Sequence, residues 1–419
     1  MILKKFCLRY YPPGIALSFQ NDNGEEELRH IDLLDMNRET DLSALATRLI
    51  TTEPLLKDEM HSQLKDVLVK IRDKLREPTR KKYYLYRTLC SHILPLTNVS
   101  FDRNGERCLT GSYDRTCHVV NTKTGEEEHV LRGHNNVVFS VGFNQPLCDR
   151  IITSSFDKSV KIWHVANGAC CNTYFGHSAE VIAAEFNPHN FDTIATASMD
   201  KTSKIFHVET AQEIASLNDH QAEVISSRFS KEGNLLLTGS FDKTAIIWDT
   251  RTHESIGVLR GHTSELSNSI WNFSCAMVAT SSLDSTVRVW DLRDLERPLH
   301  DIKAHRNEVL DIAFDYPGRR LATASSDYTA KVWDVCGELE MLATMTGHTD
   351  EISKVCFSPP GGLLLTASAD GTARIWLSDS GICSQVLSGH EQELFSCAFS
   401  YTGDVIITAS KDNTCKIWR

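Results

Sequence analysis

From residue 83 to the C-terminus, short apolar and polar runs alternate with a steady beat. Runs such as Leu235–Thr238 and Ala245–Trp248 send every second side chain to one face, as a half-buried strand does, and Gly, Asn and Asp clusters separate them. Each period holds four such runs. The period is marked by an Asp two residues after a Ser and two before a Thr or Ser: Asp114, Asp157, Asp200, Asp242, Asp284, Asp327, Asp370 and Asp412. The intervals are 43, 43, 42, 42, 43, 43 and 42 residues, too regular for chance. A Thr stands four before each Asp, from Thr110 to Thr408. Six after it stand Val120, Trp163, Phe206, Trp248, Trp290, Trp333, Trp376 and Trp418. A His precedes it by 22 or 23 residues: His92, His134, His177, His220, His262, His305, His348 and His390.

A repeat of this length with four strands is one blade of a β-propeller, and eight copies make eight blades. Gly-His at 133–134, 176–177, 261–262, 347–348 and 389–390, and Trp-Asp at 248–249, 290–291 and 333–334, resemble the WD-repeat family over residues 83–419. The resemblance implies a buried network of Asp, His, Ser and Trp tying the turn between the second and third strands to the loop before the first. The residues that would carry it include His134, Ser155, Asp157 and Trp163, then His262, Ser282, Asp284 and Trp290, then His348, Ser368, Asp370 and Trp376. Copies one and three depart, with Val120-Asn121 and Phe206-His207, so their networks should be incomplete. Ser, His and Asp together could suggest a hydrolase triad. Eightfold recurrence is what a scaffold requires and a catalytic site does not, so no catalytic, cofactor-binding or metal-binding residue is expected.

The chain stops at Trp418-Arg419, after the third strand of the eighth copy. Ahead of His92, Tyr83–Leu89 occupies the place of a fourth strand, so this early segment is expected to complete the last blade and leave no open sheet edge. Residues 1–80 do not repeat and read as a small α+β domain; residues 81–419 read as the propeller. Leu3–Arg9 and Ile15–Phe19 read as strands, Leu28–Leu33 as a third, and Asn21–Gly24 as a turn. Asp41 can cap a helix running to about Ile50. A second helix is expected from Pro54 to Glu77, with Leu56, Met60, Leu64, Val67/Leu68, Ile71 and Leu75 as its apolar stripe. That stripe suits either the domain's own strands or a partner. Glu77–Lys82 reads as the linker.

Composition is that of an ordinary soluble protein, with 41% hydrophobic and 24% charged residues. No signal peptide and no membrane-spanning run is expected. The net charge is −11, nearly all of it beyond residue 80, the wrong overall sign for nucleic acid. The 13 cysteines form no C-x-x-C pair and read as buried, reduced thiols. Zinc-type ligand spacing is not seen.

Leu8–Ile15, Ile31–Asp35, His92–Val99 and Lys411–Arg419 together resemble the outer-row dynein assembly branch of the WD-repeat family along the whole chain, front domain included. That resemblance implies a non-enzymatic adaptor coupling preassembled outer-arm dynein to the intraflagellar transport B complex. It also implies a monomer with protein partners only, in the cytoplasm, the cilium or flagellum and the basal body region, binding neither nucleic acid nor membrane. The rival is a generic WD-repeat scaffold, such as a substrate receptor of a ubiquitin ligase. The expected docking site is the propeller's top face. Three residues past each His stand Pro95, Val137, Glu180, Glu223, Glu265, Glu308, Glu351 and Glu393. Phe139 and Ile182, five past a His, and Tyr113, Phe156, Met199 and Phe241, one before an Asp, supply an apolar sector beside this acidic arc.

Overall fold

Eight four-stranded antiparallel sheets follow one another along residues 85–419 of the computed structural model. The structure describes residues 2–11, 13–20, 26–34, 36, 40–74 and 81–419. In seven of the sheets the four strands lie in sequence order, and in the last the fourth strand comes from the start of the unit. The second strand of each blade is almost wholly buried on both faces, as in Ile151–Ser155, because a blade is sandwiched between its neighbours. The apolar clusters accordingly span blade junctions. Trp376 of blade seven packs with Ala322, Val332 and Met345 of blade six. Trp290 of blade five packs with Leu237, Ile247 and Leu259 of blade four.

The last blade is made from both ends of this unit. Strand β4 (Leu85–Leu89) lies antiparallel to Cys415–Trp418, with Leu89 opposite Cys415 and Leu85 opposite Trp418. Tyr83 anchors the approach. It is 2% exposed, its hydroxyl donates to the Gly403 carbonyl at 2.6 Å, and its N–H donates to Gln385 Oε1 at 2.9 Å. Blade eight then meets blade one through Leu96, Phe101 and Val120 against Ile407, Ala409 and Ile417. The first strands of adjoining blades line the centre and are stitched together by side chains. Thr97 Oγ1 donates to Val138 O, Ser226 bonds Ser269, and Asn268 Nδ2 donates to Asp311 Oδ1, at 2.6, 2.7 and 2.9 Å.

Residues 1–81 form a separate unit. Strands β1 (Ile2–Arg9), β2 (Gly14–Gln20) and β3 (Glu26–Asp32) make a meander. The expected turn at Asn21–Gly24 lies outside the described residues. Helix α1 (Leu42–Thr52) begins at Asp41, whose Oδ1 accepts from the Ser43 and Ala44 N–H groups. Helix α2 runs only from His61 to Lys74, which corrects the start expected at Pro54; Leu75 and the expected end at Glu77 lie outside the described residues. Residues 54–60 instead form two tight turns, closed by Leu56 N–H to Glu53 O and Met60 N–H to Lys57 O. Leu55 and Leu56 both reach the core from these turns. Leu64, Leu68 and Ile71 are fully buried with Leu17, Leu33 and Leu45, so the α2 stripe serves its own domain.

Candidate partner-binding site

Each blade carries one chain of hydrogen bonds near its upper rim. His Nδ1 lies 2.7–3.0 Å from the Asp Oδ2 in all eight blades. His Nε2 lies 2.7–3.0 Å from the Oγ1 of the Thr four before the Asp. In six blades the Trp Nε1–H donates to that same Oγ1 at 2.9–3.3 Å. The carboxylate only accepts, so Nδ1 carries the imidazole proton and Nε2 accepts from the Thr hydroxyl. The Thr or Ser two after each Asp also donates to it, as Thr244 does to Asp242 Oδ1 at 2.6 Å.

The Ser ties the turn to the loop before the first strand, as expected, but through backbone groups. Ser155, Ser282 and Ser368 touch neither His nor Trp. Each accepts from the backbone N–H of its Asp (Asp157, Asp284 and Asp370, at 3.0–3.2 Å) and donates to a loop carbonyl. The Thr is the true bridge. Blades one and three keep the His–Asp and His–Thr contacts and lose only the indole, because Val120 and Phe206 have no N–H to give.

Burial acts to raise the Asp carboxyls, but hydrogen bonds from His, Thr or Ser and backbone N–H groups outweigh it and hold them below the ordinary range. Burial also lowers His262, His305 and His390, His305 to about 4. A folded pKa below the unfolded value means the unfolded chain binds more protons in between. Stability should therefore hold above about pH 6.5 and fall as pH drops toward 4, with His305 alone contributing a loss of about 2 kcal/mol by pH 5. Melting temperatures measured from pH 7.5 to 5 check this; a flat profile would contradict neutral buried imidazoles.

The same chain fixes the face above it. The backbone N–H of the residue before each Asp donates to the carbonyl three past the His, joining Tyr113 to Pro95, Phe156 to Val137, Met199 to Glu180, Phe241 to Glu223, Leu283 to Glu265, Ser326 to Glu308, Ala369 to Glu351 and Lys411 to Glu393. The Glu arc and the positions beside it thus share one rim. Glu308 and Glu351 are exposed, and Glu180, Glu223, Glu265 and Glu393 half-buried. Lys411 Nζ pairs with Glu393 at 3.0 Å.

The apolar sector needs correction. Five past each His the first strand bulges, as between Val181 and Ala183, which leaves that residue outside the ladder. Ile182 at its bulge is only 8% exposed and offers no free anchor. Phe139 stacks on Phe156 with centroids 5.2 Å apart, and both are half-buried, as are Met199 and Phe241. Bulge positions in blades four, six and eight are also apolar (Ile225, Leu310 and Phe395), so the apolar residues are not confined to one sector. Tyr113 is 41% exposed and lies with Ile93 (80%) and Leu94 (46%), two loop residues that the repeat pattern did not single out.

Charge is polarised as well. The residue after each Asp sits at the turn tip with positive φ, and in blades one to four it is basic: Arg115, Lys158, Lys201 and Lys243. Blades seven and eight add Asp350 and Glu391, both exposed. Between blades five and six a shallow cleft of about 400 Å³ is lined by Leu283, Ser285, Arg306 and Glu308.

Among the cysteines, Cys90, Cys170, Cys336 and Cys383 are exposed, against the expectation of burial, while burial pushes the Cys415 thiol up to about 12. No helix of the described residues is long and apolar enough to cross a membrane. Among the described residues one cluster has metal-ligating chemistry, His92, Asp114 and His118 in blade one. Its members come from different strands and loops, which is why spacing did not show it.

Residues 84–121, 125–164, 168–207, 211–249, 253–291, 296–334, 339–376 and 381–419 match the family model described as WD domain, G-beta repeat. Each matched segment runs from the outer strand of one blade through three strands of the next. Dynein assembly factor with WD repeat domains 1 of Danio rerio is 45% identical over 151 residues, 36% of this chain and 36% of that protein. The Homo sapiens protein of that name is 44% identical over 151 residues, with the same shares. The aligned stretch spans about a third of these relatives, not the whole-chain likeness expected. Two crystal structures share the fold. The computationally designed Ika8 protein matches with 24% identity and a TM-score of 0.71, over 79% of this chain and 98% of its own. Chaetomium thermophilum Sqt1, bound to the N-terminus of a ribosomal protein, matches with 18% identity and a TM-score of 0.73, over 80% of this chain and 99% of its own.

Proposed function

The chain belongs to the WD-repeat family, and from that membership we propose that it is a non-enzymatic scaffold in dynein assembly, an adaptor that holds outer-arm dynein for the intraflagellar transport B complex. Its place would be the cytoplasm, basal body region and cilium, and it would act as a monomer. The identity with dynein assembly factors over 151 residues supports the dynein half of this reading. The transport half rests on the sequence resemblance.

The observation that carries a docking role is the polarised rim. Glu265, Glu308 and Glu351 stand on blades five to seven, opposite the basic tips Arg115, Lys158 and Lys201. A fold has no need of unpaired like charges along one edge, and they suit a partner segment with basic residues beside an aliphatic or aromatic anchor. Charge would speed encounter, and the stacked Phe139–Phe156 pair and Tyr113 would supply contact area.

Pull-down of the full chain from ciliated cells tests the reading. Dynein heavy chains and transport subunits are expected in the wild-type eluate. Glu265→Lys, Glu308→Lys and Glu351→Lys together should slow association roughly tenfold and flatten its salt dependence, with the melt unchanged. Recovery of ubiquitin-ligase subunits without dynein would favour the rival scaffold. Wild-type association by the triple variant would move the docking site off this face.

A further inference from the structure

Blade one is the odd blade, and its proton count does not close. In the six blades with a Trp, every hydrogen of the Trp–Thr–His–Asp chain has one acceptor. Blade one replaces the Trp with Val120, so Thr110 Oγ1 loses a donor, and it adds an imidazole at His118. Other blades carry Lys161, Lys204, Ile246, Arg288, Lys331, Arg374 and Lys416 there. Several of these reach the outer strand, as Lys204 does to Glu213 and Arg288 to Asp301. The His118 ring turns inward instead. Its side chain is 5% exposed, and the ring lies against His92 with centroids 4.0 Å apart.

His118 Nε2 sits 3.0 Å from Thr116 Oγ1, whose hydrogen already goes to Asp114 Oδ1 at 2.6 Å. If Nε2 carries the His118 proton, the bare Nδ1 faces the Glu127 carboxylate at 3.4 Å, and Nδ1 is a buried atom without a hydrogen bond. If Nδ1 carries it, the Nε2 lone pair is orphaned. Protonating both nitrogens would satisfy both contacts, but burial disfavours the imidazolium. A cation at Nε2 settles the conflict. Nδ1–H then donates toward Glu127, the usual outer partner of a ligating imidazole.

We propose that blade one binds a first-row divalent transition metal of the zinc class through His92 Nδ1, the Asp114 carboxylate and His118 Nε2. One ligand atom from each residue already lies within 4.8 Å of the other two. Ligands around one tetrahedral zinc are roughly 3.4 Å apart, so closure needs only small side-chain movement. His92 must move its proton from Nδ1 to Nε2, which Thr110 Oγ1 can accept because no indole occupies it. Two imidazoles and one carboxylate select zinc or cobalt over magnesium or calcium.

The test uses the full-length chain stripped with a chelator and titrated with cobalt, then zinc. One equivalent of cobalt should develop visible d–d bands without near-ultraviolet thiolate bands, and zinc should bleach them. His118→Lys, the residue found at this position in blades two, three, six and eight, should keep the metal-free melt and weaken binding at least about tenfold; Glu127→Gln should weaken it about tenfold. Absence of d–d bands, thiolate bands that place the ion on exposed cysteines, or wild-type binding by His118→Lys would each overturn the site.

Discussion

A chain lacking residues 1–90 is expected to lose its cooperative melt and to aggregate, whereas one that begins at residue 82 should melt as a folded propeller. The shorter deletion keeps β4 and its anchor. The longer one strips Cys415–Trp418 of its ladder partner and removes the Tyr83 ring packed beside Phe399. It also leaves the Gly403 carbonyl without the Tyr83 hydroxyl. The damage reaches the blade eight and blade one junction, which relies on Leu89 among its buried residues. An exposed, unpaired strand then invites intermolecular pairing. Scanning calorimetry and light scattering of both truncations decide the matter. A sharp, unchanged transition in the 1–90 deletion would show that the ring closes without β4.

Asp242→Ala in blade four should cost about 2–3 kcal/mol, because one carboxylate serves four donors there and its loss leaves the His220 Nδ1–H buried and unpaired. Asp242→Asn keeps one acceptor oxygen and should cost less. Val120→Ala is the contrast. It breaks no hydrogen bond, and its cost of about 1–2 kcal/mol should come from lost packing alone. Chemical denaturation with equal m-values for the three variants measures these differences. Wild-type stability for Asp242→Ala would mean that the network has no structural weight.

The architecture was legible because the repeat writes each blade's turn in the same polar letters. The Asp–Thr/Ser turn and the His before it recur at one period, so blade number and strand order could be counted. The Thr bridge was visible as a recurring residue, but its partner was not, because hydroxyl contacts depend on which strand faces which. The start of α2 was not legible because Pro54 suits the first turn of a helix and a tight turn equally, and the backbone closes from Leu56 N–H to Glu53 O instead. On the upper rim, alternation failed at the bulges. One extra residue per first strand shifts the facing of side chains, which is how Ile182 became buried. His118 gave no signal, since a lone His within a strand means little until the missing indole beside it is seen in space.

The way the two ends meet in blade eight also sets how the propeller bears load. Tyr84 and Arg419 exchange backbone hydrogen bonds, each N–H donating to the other's carbonyl at 2.7 and 2.9 Å, so the C-terminal residue and the start of β4 lie side by side at one end of the sheet. A pull applied through the segment before Tyr84 and through Arg419 does not slide the two strands past each other. It opens their ladder one pair at a time, first Tyr84 from Arg419, then Leu85 from Trp418, and on toward Leu89. Unzipping resists force far less than shear. Tension between the two termini of this unit is therefore borne by a few bonds at the clasp, while tension applied across other blades falls on intact sheets.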